Sequence, residues 1–135
     1  MSYTRRLALS LPHAAALTAV KEALAAQGFG TLTEIDVKGT LQSKIGAEIE
    51  DYTILGVCSP RLGLRVLETD RQAGVLLPCT VVVRAVDHAS EVVVLDPHVL
   101  VTVPGDERLR PVAEEAAGRL DAALASLTQG SLTQG

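Results

Sequence analysis

The sequence predicts an α+β domain: a mainly antiparallel sheet of about five strands, packed by two main helices and a shorter one. Three observations lead there. Short alternating or continuous apolar runs recur between turn signals. Two longer stretches repeat their apolar residues every three or four positions, as amphipathic helices do. Two Val-rich runs are separated only by Asp87-His88-Ala89-Ser90, which makes them a hairpin, since parallel strands need a long crossover.

In chain order, Tyr3, Arg5, Leu7 and Leu9 alternate with Thr4, Arg6 and Ala8, giving a first strand over 3–9. Ser10 and Pro12 signal a helix start, and Leu17, Val20 and Leu24 share one face of an Ala-rich helix that reaches Gln27. Gly28 stands where a left-handed cap is needed. A second strand spans Phe29 to Val37. Its apolar Leu32 and Ile35 are out of phase, which calls for a bulge or a late start. Residues 40–47 form a short helical turn, with Leu41 and Ile45 four apart and Gly46 at its end.

Tyr52 to Cys58 is a short apolar strand, and Ser59-Pro60 then opens a helix as cap and first helical residue. Leu62, Val66 and Leu67 belong to its core face, and Gly74 ends the region. Leu76, Leu77 and Val81–Val83 make a strand region in which Pro78 demands an edge, a bulge, or a start after it. Glu91 to Leu95 is the hairpin's second strand. Asp96-Pro97 breaks it, Val99–Val103 continues it irregularly, and Pro104-Gly105 turns the chain. The last helix, about 107–127, carries the stripe Leu109, Val112, Ala116, Leu120, Leu124 and Leu127, with Asp106 as its cap. Glu114 lies five residues before Arg119, too far for a helical ion pair. The pentapeptide Ser126–Gly130 repeats as Ser131–Gly135, too short a period for a repeat architecture. The expected organisation is a single domain over 1–128 and a frayed tail over 129–135.

Composition excludes several functions. A chain of 135 residues, 47% hydrophobic and 21% charged, is an ordinary folded domain. It has no apolar run near the ~18 residues of a membrane span, nor the pattern of a signal peptide, so a cytoplasmic protein without a membrane partner is expected. The net charge of −4 argues against a nucleic-acid partner, as do the scarce aromatics, Tyr3, Phe29 and Tyr52. The negative balance sits in the second half, as a solvated acidic face would place it. Cys58 and Cys79 are too few for a disulfide scaffold and are expected as thiols.

Two segments carry a family likeness: Tyr52-Thr53-Ile54-Leu55-Gly56-Val57-Cys58-Ser59-Pro60 and Gly74-Val75-Leu76-Leu77-Pro78-Cys79-Thr80-Val81-Val82-Val83. Gly28-Phe29-Gly30, Ile35-Asp36-Val37 and Lys44 before Gly46 fit the same pattern. Over roughly residues 3–127 the chain resembles the domain-of-unknown-function family 302. The resemblance implies a small bacterial or archaeal α+β domain of TBP-like topology, assembled as a homodimer, and it implies no activity. Ser59 and Thr80 stand where that family commonly has asparagine, which puts in doubt any role those amides have in relatives.

The candidate site is Cys58, Ser59, Pro60, Cys79 and Thr80, with Asp36 and Lys44 added by the family pattern. Cys58 precedes a helix start, whose partial positive charge lowers a thiol's pKa. If the two motif strands are antiparallel neighbours, Cys79 lies within a few ångströms of it. Three readings stay open for the pair: apolar filler of the core, an anion or ligand site at the helix start with Ser59, or thiol and metal chemistry. The histidines, His13, His88 and His98, are expected on the surface. There is no paired Cys or His spacing for zinc, no hydrolase elbow and no phosphate loop; Gly28-Phe29-Gly30 follows a helix instead of opening one. No metal is assigned and no cofactor is named. The expected function is a homodimeric ligand-binding or interaction module, not an enzyme, with a small-molecule pocket at the cysteine motifs. The alternative is a thiol-dependent redox, sulfur-transfer or metal-binding protein using Cys58 and Cys79.

Overall fold

The computed structural model describes residues 2–134, with side chains described for residues 2–128. The strands are β1 (Thr4–Leu9), β2 (Gly30–Asp36), β3 (Tyr52–Cys58), β4 (Cys79–Val86) and β5 (Ala89–Leu95). The helices are α1 (His13–Ala26), α2 (Val37–Ile45), α3 (Pro60–Thr69), α4 (Val99–Thr102) and α5 (Arg110–Gln134), with 3₁₀ turns at Arg71–Leu76 and Glu107–Leu109. The strands form one antiparallel sheet in the order β1-β5-β4-β3-β2. The α+β class and the five strands expected from the sequence hold. The expected frayed tail, 129–135, lies outside the residues whose side chains are described.

One face of the sheet is covered and the other is not. On the covered face, Leu55 and Val57 of β3, Val81 and Val83 of β4, and Val92 and Val94 of β5 are buried. Against them lie Ala16, Val20 and Leu24 of α1, Val66 of α3, and Val112, Ala116 and Leu120 of α5. Val82 and Val93, pointing the other way, stay half-buried with no helix over them. Two polar contacts tie the entry to α1 onto the sheet. Ser90, only 2% exposed, donates its hydroxyl to the Leu11 carbonyl at 2.8 Å. The buried Thr53 hydroxyl meets His13 Nε2 at 3.0 Å.

Several local signals act as the sequence suggests. Gly28 and Gly46 take positive φ, 87° and 68°, and end α1 and α2. A bulge lies between Thr31 and Thr33, which explains the broken phase of β2. Pro78 sits immediately before β4, so a central strand loses no ladder bond to it.

Three expectations change. Val99–Val103 is not strand: Asp96 accepts the His98 amide at 2.9 Å, and successive amides from Val99 to Val101 bond to Asp96, Pro97 and His98, winding α4. The helix after Ser59 ends at Thr69, not Gly74, because Asp70 is extended and its side chain caps a separate 3₁₀ turn through the Gln72 amide. Of the histidines, only His88 is exposed; His13 and His98 are half-buried and hydrogen-bonded, His98 Nδ1 lying 2.7 Å from Asp96. As the spacing predicts, Arg119 does not pair with Glu114; its partner is Glu115, four residues away, which also reaches Arg65 and joins α5 to α3.

The buried layer sets stability. Leu120→Ala, at a fully buried site, is expected to cost about 2–5 kcal/mol in urea denaturation. Val75→Ala, at a side chain 87% exposed, is expected to stay within about 0.5 kcal/mol of the parent.

Candidate functional site

The two motif strands are antiparallel neighbours. Val57 pairs with Cys79, so Cys58, the next residue of β3, sits diagonally beside Cys79 at the start of β4. Both thiols line one small apolar cavity of about 20 Å³, closed by Phe29, Leu62, Val66 and Ala116 among others. That volume holds about one water and no organic ligand. Ser59, 5% exposed, belongs to the same cavity wall, and Pro60 opens α3 as its first residue. The Ser59 hydroxyl makes no capping bond, contrary to its expected role; its carbonyl accepts the Gly63 amide at 2.8 Å.

The thiols are not activated. Burial pushes the Cys58 thiol up, and it pushes Cys79 up to about 11, with the neighbouring Cys58 adding to the effect. The expected lowering at the helix start is therefore overridden by desolvation. The remaining site residues do not converge here. Thr80 points to the opposite face of the sheet, as alternation along β4 requires. Asp36 lies at the far end of β2, where it caps α2 by accepting the Gly39 amide at 3.0 Å. Lys44 is exposed in the last turn of α2.

Part of the motif is packing. A side chain on Gly56 would meet Thr33 Oγ1 at 2.5 Å and Pro78 Cγ at 2.8 Å. Strand β3 thus needs glycine where the proline of the second motif crosses it. Gly63 on α3 leaves room for sulfur in the same way, because a Cβ there would stand 3.1 Å from Cys58 Sγ.

A larger concavity lies on the other face, and of the motif residues Tyr52, Thr80 and Val82 line it. It is a groove of about 560 Å³ on the uncovered sheet face. Strand register builds it in rows. Arg6, Val93 and Val82 are successive cross-strand partners, and beside them run Glu91, Arg84 and Tyr52. Arg84 is held by Glu91 at 2.9 Å and by Glu50 at 3.1 Å. Arg6 makes no ion pair among the described residues. Tyr3 and Tyr52, two of the chain's three aromatics, line the same groove.

The comparisons with known proteins agree with this architecture. The family model "Domain of unknown function DUF302" matches residues 5–127. The chain belongs to the DUF302 family. A solved structure, the "uncharacterized conserved protein DUF302 from Bacillus stearothermophilus", superposes with a TM-score of 0.86 at 28% identity, covering 93% of this chain and 98% of that one. No curated protein gives a match. Among the described residues, no helix is long and apolar enough to cross a membrane, and no group of three or more His, Cys, Asp or Glu is placed to hold a metal ion.

Two outcomes test this account of the DUF302 motifs. Alkylation of native Cys79, followed by mass spectrometry, is expected to rise with an apparent pKa near 11 instead of the ordinary 9.0. The folded state holds that proton more tightly than the unfolded chain, so this contribution to stability is complete below pH 9.0 and is lost as the pH rises through about 11. Gly56→Ala is expected to cost about 1–3 kcal/mol in thermal melting, the penalty of overpacking.

Proposed function

We propose that this DUF302 protein is a small-molecule-binding module whose ligand lies on the uncovered sheet face, on the opposite side of the sheet from the cysteine cavity. The carrying observation is the groove of about 560 Å³, within the range of about 300–1,000 Å³ that small ligands occupy. The cysteine cavity, at about 20 Å³, has no such room.

The groove has polarity. Arg6 offers an unpaired guanidinium at the β1 side, Val93 and Val82 form an apolar floor, and Tyr52 flanks it on β3. Arg84 is neutralised by two carboxylates, so an anion is drawn to Arg6 and a hydrogen-bond donor to Glu50 and Glu91. The ligand that fits is a flat apolar molecule with an anionic group at one end and a donor towards the other. A charge-assisted bond to Arg6 contributes about 1.5–3 kcal/mol.

The expected homodimer is part of this reading. Residues 30–45, all of β2 and α2, contain no buried residue, and Leu32, Ile35 and Ile45 are 64%, 48% and 73% exposed. Ordering such a segment costs conformational entropy that its own packing does little to offset, and a second copy of the chain supplies the missing burial.

The groove is tested with 1-anilinonaphthalene-8-sulfonate, an aromatic anion with one N–H donor. Saturable one-to-one fluorescence enhancement is expected, weakened about ten- to a hundredfold by Arg6→Ala and unchanged by Cys58→Ser. Binding indifferent to Arg6→Ala would overturn the assignment. Light scattering after size exclusion is expected to give twice the chain mass, falling to one chain in the double variant Leu32→Asp, Ile35→Asp.

A further inference from the structure

A second concavity, of about 370 Å³, lies beyond the end of the β1–β5 ladder, where the Asp96 amide bonds to the Tyr3 carbonyl at 2.8 Å. Tyr3, Asp96, His98, Val99, Thr102 and Arg110 line it. Its volume falls within the range of about 300–1,000 Å³ that small ligands occupy. Inside it the His98 ring is held in one orientation. The Asp96 carboxylate accepts the His98 amide at 2.9 Å and meets Nδ1 of the same residue at 2.7 Å. Arg5 holds that carboxylate from β1 at 3.0 Å. Burial opposes ionisation of Asp96, but its bonds to His98 and Arg5 outweigh burial and keep the carboxyl below its ordinary pKa. An ionised carboxylate has no proton to give, so Nδ1 carries one and donates it. The neutral ring then presents Nε2 as an acceptor. Nε2 makes no hydrogen bond among the described residues, and the side chain is 37% accessible.

We propose that this pocket binds a small neutral aromatic alcohol, of the phenol class, whose hydroxyl donates to His98 Nε2. The charges around it are already matched. Asp96 faces Arg5, and the Arg110 guanidinium is held twice by Glu107, at 2.6 and 2.9 Å. A charged ligand finds no unmatched partner among these groups, whereas a neutral donor finds a free acceptor. The walls select the body of the ligand. Tyr3 offers a ring that is 69% exposed, and aromatic rings pair well edge-to-face or offset. Val99 adds an aliphatic wall. Tyr3 lines both concavities, but Arg6 lines only the groove and His98 only this pocket. Each is therefore open to a ligand without the other.

The test is a fluorine NMR titration of the full chain with 4-fluorophenol and, as the same ring without a hydroxyl, with fluorobenzene. Near neutral pH the phenol stays protonated. Saturable one-to-one binding of 4-fluorophenol is expected, about two- to tenfold tighter than that of fluorobenzene, the span of one neutral hydrogen bond. His98→Phe keeps a ring and removes the acceptor, and is expected to abolish that preference. Arg6→Ala is expected to leave it unchanged. Absence of saturable binding, or a preference that survives His98→Phe, would sink the assignment. So would binding lost in Arg6→Ala, which places the probe in the groove. Because His98→Phe can disturb the turn at Asp96, circular dichroism accompanies it, and the histidine-ring nitrogen NMR spectrum of the parent decides independently. A shift of the His98 Nε2 resonance on adding 4-fluorophenol supports the site; binding that leaves Nε2 unmoved overturns it.

Discussion

In β4, Val81 and Val83 enter the helix layer while Thr80, Val82 and Arg84 turn away from it, and the rest of the molecule follows from that alternation. A strand at the centre of a sheet has two faces but, with all the long helices on one side, only one core. The inward valines of β3, β4 and β5 form the floor on which α1 and α5 lie. The outward residues are half-buried and receive no helix. A one-residue slip in β4 would exchange the two sets, which is why the register is fixed so firmly. It also decides what consecutive residues can do together. Cys79 and Thr80 are neighbours in sequence, yet they serve opposite sides of the sheet.

The chemistry at the start of α3 is a contest between burial and the helix. A helix N-terminus typically favours a nearby negative charge by about 0.3–1 kcal/mol. Moving the Cys79 thiol from 9.0 to about 11 corresponds to roughly 2–3 kcal/mol against the thiolate. Desolvation wins, and the resting thiols are protonated near neutral pH. A nucleophile would need the opposite balance.

Local rules made much of the fold legible. Tyr52–Cys58 is bounded as expected, because an apolar β-branched run ends at a Ser-Pro helix start. Gly28 and Gly46 end their helices, since glycine alone accepts their φ without strain. The two cysteine motifs were readable as neighbours because the connections left them in adjacent antiparallel strands. Val99–Val103 was not readable. A five-residue apolar run has no period long enough to separate strand from helix, and the deciding contact is the Asp96 side chain on the His98 amide. The groove was hidden for a different reason. Its residues come from four strands, and no linear motif joins Arg6 to Val93, Val82 and Tyr52. Only the strand order, with β5 between β1 and β4, sets them in a row. Period-two runs such as Thr80, Val82, Arg84 and Glu91, Val93, Leu95 were the available signal, and they point outward as clearly as the valines between them point inward.

The motifs therefore record two kinds of constraint that sequence alone merges. Gly56 and Pro78 are steric partners across β3 and β4: one has no side chain because the other's ring occupies the space. Cys58, Ser59 and Cys79 share a cavity too small for anything beyond a single atom, and Gly63 is trimmed to the sulfur. Packing accounts for the glycines and the proline without remainder. Ser59 contributes through its backbone, whose carbonyl accepts the Gly63 amide in the first turn of α3, while its hydroxyl makes no capping bond.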